Sequence, residues 1–100
     1  MNNELSLLGI ATKAGKTVSG ESLCLEAIRG NKAKLVIVAG DASDNTKKKF
    51  IDKCSYYNVK MIINSDKETL GRFCSKEVRT VVAVTDEGLA ESIWKKIGGQ

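Results

Sequence analysis

Apolar residues recur along this chain in two rhythms that alternate. Between Leu5 and Ala14 the set Leu5, Leu7, Leu8, Ile10, Ala11 and Ala14 repeats at helical spacing, with Ser6, Thr12 and Lys13 between. This predicts a helix that Gly15 closes as a left-handed cap. Thr17-Val18-Ser19 is short and β-prone, and Gly20 then breaks the chain. Leu23, Cys24, Ala27 and Ile28 form the apolar set of a second helix, Glu21 to Arg29, with Gly30-Asn31 as its stop. Lys34 to Ala39 holds the unbroken run Leu35-Val36-Ile37-Val38-Ala39, as in strands covered on both faces.

Asp41-Ala42-Ser43-Asp44 supplies a turn and an N-cap. The helix that follows, about Asn45 to Tyr57, has Phe50, Ile51, Cys54 and Tyr57 on one stripe and lysines opposite. Val59 to Asn64, around Met61-Ile62-Ile63, reads as a third strand. Ser65 or Asp66 caps a short helix from Lys67 to Cys74, with Glu68 completing the capping pattern. Thr80 to Thr85 is a fourth strand. Asp86 caps a last helix, Glu87 to Ile97, with the stripe Leu89, Ala90, Ile93 and Ile97. The order α-β-α-β-α-β-α-β-α predicts a three-layer α/β/α sandwich: one mixed four-stranded sheet with helices on both faces. No repeat or long loop divides it, so residues 1–100 read as one domain.

Composition then narrows the chemistry. Sixteen Lys and Arg against twelve Asp and Glu give a net charge of +4 and a pI near 9.0, which favours an anionic partner, nucleic acid first. There is no His, so neither a Ser-His nor a Cys-His pair exists for catalysis. The expectation is a protein that is not an enzyme and takes no cofactor. Cys24, Cys54 and Cys74 are widely spaced, and a zinc site would need all three plus a carboxylate. Buried thiols in a reducing cytoplasm are the expectation, and no metal. Met1 to Gly9 lacks the basic start of a leader peptide and no apolar run is long enough to span a membrane. A cytoplasmic monomer without membrane contact is expected.

Gly15-Lys16-Thr17 echoes the end of a phosphate-binding loop. However, five residues separate it from Gly9 where that loop has four, and a strand follows instead of a helix. Carboxylate pairs such as Asp86-Glu87 stand at helix starts, where capping explains them. Lys47-Lys48-Lys49 reads as a solvated face, with auxiliary attraction for phosphates as the alternative, and Tyr56-Tyr57 as packing. Lys13, Lys16, Ser19, Gly20, Glu21 and Ser22 say more. Basic side chains precede a Gly-Glu-Ser turn opening a helix, which is either a capped helix start or a phosphate contact. The residues alone stop at a basic α/β domain with this choice open.

Leu7-Leu8-Gly9-Ile10-Ala11, Lys16-Thr17-Val18-Ser19-Gly20-Glu21, Ala33 to Ala39 with Asp41-Ala42-Ser43, Asp52-Lys53-Cys54 with Tyr56-Tyr57, Leu70-Gly71-Arg72 and Val81 to Asp86 together resemble the bacterial YlxQ branch of the ribosomal kink-turn RNA-binding family. The resemblance spans essentially the whole chain. It implies an α/β/α sandwich that binds kink-turns, sharply bent helix–internal loop–helix RNA elements with tandem sheared G·A pairs. In that family a Gly-x-Asn-Glu-x-x-Lys stretch opens the second helix and reads the sheared pairs, and an apolar loop before the fourth strand covers an extruded nucleotide.

Carried over in register, the Gly falls on Gly20, the Asn on Ser22, the Glu on Leu23 and the Lys on Glu26. A one-residue shift instead places Glu21 and Ser22 at the Asn and Glu positions. Either register leaves a reduced recognition set, since Leu23 accepts no hydrogen bond and Glu26 repels phosphate. The second loop maps to Glu77-Val78-Arg79-Thr80, with Val78 over the flipped base and Arg79 on a phosphate. The expected RNA-binding residues are therefore Lys13, Lys16, Ser19, Gly20, Glu21, Ser22, Lys34, Val78, Arg79 and Thr80. One end of the sandwich is expected to present Lys13, Lys16, Gly20, Ser22 and Arg79 together. The implied partner is kink-turn RNA, ribosomal or regulatory, with a place in translation; the alternative is a protein–protein adaptor on the same scaffold.

Overall fold

The computed structural model describes residues 5–98. Residues 1–4 of the stretch considered above as a leader, and 99–100 of the single-domain span, lie outside them. The elements are α1 (Ser6–Lys13), β1 (Thr17–Ser19), α2 (Glu21–Arg29), β2 (Leu35–Val38), α3 (Asp44–Tyr57), β3 (Lys60–Ile63), α4 (Lys67–Phe73), β4 (Val81–Val84) and α5 (Glu87–Ile97). The sheet order is β1-β4-β2-β3. β4 runs antiparallel to both β1 and β2, and β2 lies parallel to β3. The mixed four-stranded α/β architecture expected from the sequence is the one found.

Alternation along the two central strands builds two cores. Leu35, Ile37, Val82 and Val84 face Leu8 of α1, Leu70 of α4 and Ile93 of α5. Val36, Val38, Val81 and Ala83 face Cys24 and Ile28 of α2 and Phe50 and Cys54 of α3. Every residue of β2 and β4 is buried, which is why those segments read as unbroken apolar runs.

One backbone device closes four helices. The N–H groups of Lys16, Lys32, Val59 and Lys76 each donate back five residues at 2.8 Å, to the carbonyls of Ala11, Ala27, Cys54 and Gly71. Each pair flanks a left-handed residue: Gly15, Asn31, Asn58 and Ser75. The second helix thus turns on Asn31, not on Gly30. At the helix starts, Ser43 caps α3, so Asp44 is its first helical residue. Asp66 caps α4, which leaves Glu68 one position short of the reciprocal capping site.

The apolar stripes need four corrections. Ile10, Leu23 and Ile51 are exposed, because each lies about 100° or more round its helix from the centre of the buried stripe, and Ala14 is exposed at the C-cap of α1. Tyr56 is 81% exposed and touches Tyr57 edge-on with centroids 4.9 Å apart. Of that pair, Tyr57 alone packs against the α2/α3 core.

The register defines two ends of the sheet. Ser19, Val38 and Ile63 finish β1, β2 and β3 where Val81 begins β4; this is the Gly20 end. Thr17, Leu35 and Lys60 begin their strands where Val84 finishes β4; this is the Lys34 end.

Candidate functional site

The Gly20 end is built from two segments 60 residues apart. The first is the turn from β1 into α2. Gly20 has φ 93° and ψ 154°, a region that side chains other than glycine's rarely permit. In that conformation its N–H donates to the Val81 carbonyl at 3.0 Å, and its own carbonyl accepts from the Cys24 N–H at 3.0 Å. One residue therefore ends a strand and starts a helix. No side chain caps α2, whereas Ser43, Asp66 and Asp86 cap α3, α4 and α5. Its first N–H groups and the positive end of its dipole are left facing an incoming anion.

The second segment returns from α4 to β4. It lies hard against α4 because Gly71 has no side chain: a Cβ there would sit 2.7 Å from the Glu77 carbonyl oxygen and 2.8 Å from the Val78 Cα. The Arg79 N–H donates to the Lys67 carbonyl at 3.0 Å, and the Ala39 N–H to the Thr80 carbonyl at 2.8 Å. The chain so held delivers the Arg79 guanidinium to the first segment. Its Nε donates to Ser19 Oγ at 2.9 Å and its Nη1 to the Val78 carbonyl at 2.8 Å. Two of five N–H donors are used, and the rest remain for another acceptor. Val78 beside it is exposed, as is Leu23 on α2.

A third element joins them. Glu21 Oε1 accepts from Lys49 Nζ and Oε2 from Thr46 Oγ1, each at 2.9 Å. Thr46 Oγ1 in turn accepts from Ser43 Oγ at 3.1 Å, while Ser43 Oγ accepts from the Thr46 N–H. The Lys49 bond, then the Thr46 bond, hold the Glu21 carboxyl below the ordinary glutamate value of 4.5. α2 is thereby tied to α3 at the rim of the site.

Ser19, Gly20, Glu21, Ser22, Val78, Arg79 and Thr80 lie together at this end. Lys13, Lys16 and Lys34 do not. Lys13 is in the last turn of α1, the Lys16 carbonyl accepts from the Thr85 N–H, and the Lys34 N–H donates to the Val84 carbonyl. All three belong to the Lys34 end. β1 separates Lys16 from Ser19 by roughly 10 Å at about 3.3 Å per residue, so neighbours in sequence are carried to opposite ends. The sequence reading missed Thr46 and Lys49, which reach Glu21, and Gly71, which seats the second loop. The signal for Lys49 was available, since lysines early in α3 lie where the helix dipole disfavours them.

Burial pushes the Cys24 thiol up to about 12 and Cys54 up to about 11, and raises Cys74 as well, so all three are protonated at neutral pH. Among the described residues no three His, Cys, Asp or Glu gather where they could hold a metal, and no helix is long and apolar enough to cross a membrane. At the Lys34 end a groove of about 490 Å³ is lined by Lys34, Tyr57, Asn58, Lys60, Glu87 and Glu91 among others. Its mixed charges favour neither an anion nor a cation.

Comparison with known proteins places this geometry among relatives. The pattern of the ribosomal protein L7Ae/L30e/S12e/Gadd45 family matches residues 3–93. The chain is similar to the RNA-binding protein YlxQ of Bacillus subtilis (strain 168), 51% identical over 87 residues, 87% of each chain. Among solved structures, a Bacillus halodurans C protein of unknown function superposes with a TM-score of 0.92 at 34% identity, over 97% of this chain and 98% of that one. A 15.5 kD RNA binding protein of Giardia lamblia shares the fold, with a TM-score of 0.81 at 23% identity over 98% of this chain and 88% of its own.

Proposed function

We propose that this chain, which belongs to the ribosomal protein L7Ae/L30e/S12e/Gadd45 family, is an RNA-binding protein that recognises sharply bent, kink-turn-like RNA through its Gly20 end. The observation that carries the reading is the 2.9 Å bond from Arg79 Nε to Ser19 Oγ. It joins two distant segments so that a cation, an uncapped helix start and the exposed Val78 converge on one small surface. A bent RNA crowds its phosphates and turns bases outward, and such a surface answers both features: Arg79 and the α2 N–H groups face phosphate, and Val78 and Leu23 offer apolar contact to a base. Binding would trap the bent conformer already present in the RNA ensemble, a population shift with no bond made or broken. The RNA-binding name of the Bacillus subtilis relative supports this reading. A ribosomal or other translation-associated RNA in the cytoplasm is the setting we infer.

The test is a titration against a kinked RNA and a straight duplex of equal length at two salt concentrations. Tighter binding to the kinked RNA that survives the higher salt is expected. Equal, steeply salt-dependent binding to both would reduce the interaction to general phosphate attraction. The second reading, a protein adaptor, draws on the exposed Ile51 and Tyr56 of α3; it predicts no preference for bent RNA and a protein partner lost when those two side chains are replaced.

A further inference from the structure

Two ion pairs occur among the described residues, and they differ in kind. Lys48 and Asp52 meet at 3.8 Å within α3, both largely exposed, the familiar one-turn pairing of a helix surface. Lys49 and Glu21 meet at 2.9 Å between two helices, 28 residues apart. The second pair is also built from below: Thr46, 8% exposed, donates to the same carboxylate and is itself held by the Ser43 cap. Glu21 is the first residue of α2, and both oxygens of its carboxylate reach across to α3. The same contact withholds the Lys49 ammonium from any other anion.

We propose that Glu21 is a specificity-determining residue of the RNA surface: it keeps Lys49 occupied, so that straight RNA cannot recruit that cation as a general backbone contact. The proposal rests on the RNA-binding reading above. A bent RNA reaches the surface through Arg79 and Val78, which the clasp does not touch, whereas a straight duplex depends on the cations it can recruit. Removal of the Glu21 charge frees one lysine, whose attraction for phosphate is indifferent to RNA shape. The cost of the clasp is affinity, and its product is discrimination.

The experiment compares the wild type, Glu21→Gln, Lys49→Met, the double variant and Glu21→Asp against the kinked and straight RNAs over a range of salt. Circular dichroism confirms the fold of each. For Glu21→Gln the expected result is about fivefold tighter binding to straight duplex, the size of one exposed charge interaction, with a smaller gain for kinked RNA. The slope of log affinity against log salt should steepen by about 0.7 to 0.9, one added phosphate contact. Lys49→Met should leave the wild-type slope, the double variant should return to it, and Glu21→Asp should restore the preference for bent RNA. An unchanged slope and preference in Glu21→Gln, while the wild type still prefers kinked RNA, would overturn the proposal and leave the RNA reading standing. A slope reduced by about one in Lys49→Met alone would also overturn it, because Lys49 would then contact phosphate with Glu21 in place. A wild type that binds neither RNA overturns both readings.

Discussion

The two ends of the sandwich carry cations for opposite reasons. At the Lys34 end, Lys13 and Arg29 occupy the last turns of α1 and α2, and Lys16, Lys32 and Lys34 follow shortly after. These positions complement the negative ends of helix dipoles, a stabilisation of about 0.3–1 kcal/mol each at exposed sites. At the Gly20 end, Lys48 and Lys49 of α3 have carboxylate partners in Asp52 and Glu21, whereas Lys67 opens α4 and Lys47 falls in the first turns of α3, where the same dipole works against them. Folding accounts for the first set and not for the second. A tally of basic residues would send RNA to the Lys34 end; charge placed against the interest of its own helix sends it to the Gly20 end. The helix starts agree, because α2 alone among α2 to α5 lacks a side-chain cap.

The sharpest way to break this contrast is Gly71→Ala. Its methyl group would meet backbone atoms at 2.7 and 2.8 Å, and backbone does not move aside as a flexible side chain does. A loss of about 1–3 kcal/mol in unfolding free energy is expected, together with loss of bent-RNA binding as the Glu77–Arg79 segment shifts; chemical denaturation and the RNA titration read the two effects separately. Next is the pair Arg79→Ala and Lys34→Ala. The first should weaken binding to bent RNA by about 2 kcal/mol, roughly thirtyfold, the scale of a charge-assisted hydrogen bond. The second should change it by under about 0.5 kcal/mol, and equal effects would erase the distinction between the ends.

A smaller effect of opposite sign belongs to the Lys34 end. Asn58 closes α3 with φ 60°, so Asn58→Gly relieves a left-handed non-glycine residue. A gain of no more than about 0.5 kcal/mol in stability is expected, because glycine also adds entropy to the unfolded chain and Asn tolerates this conformation well, with RNA affinity unaltered. The smallest is a pH effect. The folded state lowers the Glu21 pKa, so its contribution is present above the ordinary glutamate value and is lost as pH falls through the depressed one. Stability of the wild type should therefore decline more steeply below about pH 4.5 than that of Glu21→Gln, by less than about 1 kcal/mol for so exposed a pair. Parallel acid-unfolding curves would show that the clasp contributes nothing to the fold.

Nearly all of the fold was legible in the chain, and the reasons are local. The runs Leu35 to Ala39 and Val81 to Val84 have no polar position to expose, so only a strand between two helix layers suits them. Ser43, Asp66 and Asp86 each precede a helix they cap, a relation settled within four residues. Where the stripes were misread, at Ile10, Leu23, Ile51 and Tyr56, the residue type was apolar but its angle round the helix faced solvent. The site was half legible for a different reason. Ser19 and Arg79 were both named from sequence, yet their contact depends on β1 pairing antiparallel to β4, a fact of topology. The same pairing sends Lys16 to the far end, and no local pattern announces it. Glu21 was visible as a residue but not in its role, because Thr46 and Lys49 lie 25 and 28 positions away.

Which end of the sheet meets RNA is read most directly from the backbone amide resonances of isotope-labelled protein as kinked RNA is added. The result expected is that Ser19 to Ser22 and Lys76 to Thr80 shift and saturate together, while Asn31 to Lys34, Asn58 to Lys60 and Thr85 hold their positions. Shifts centred on Lys13, Lys16 and Lys34, with the Gly20 turn and the Arg79 loop unmoved, would contradict it.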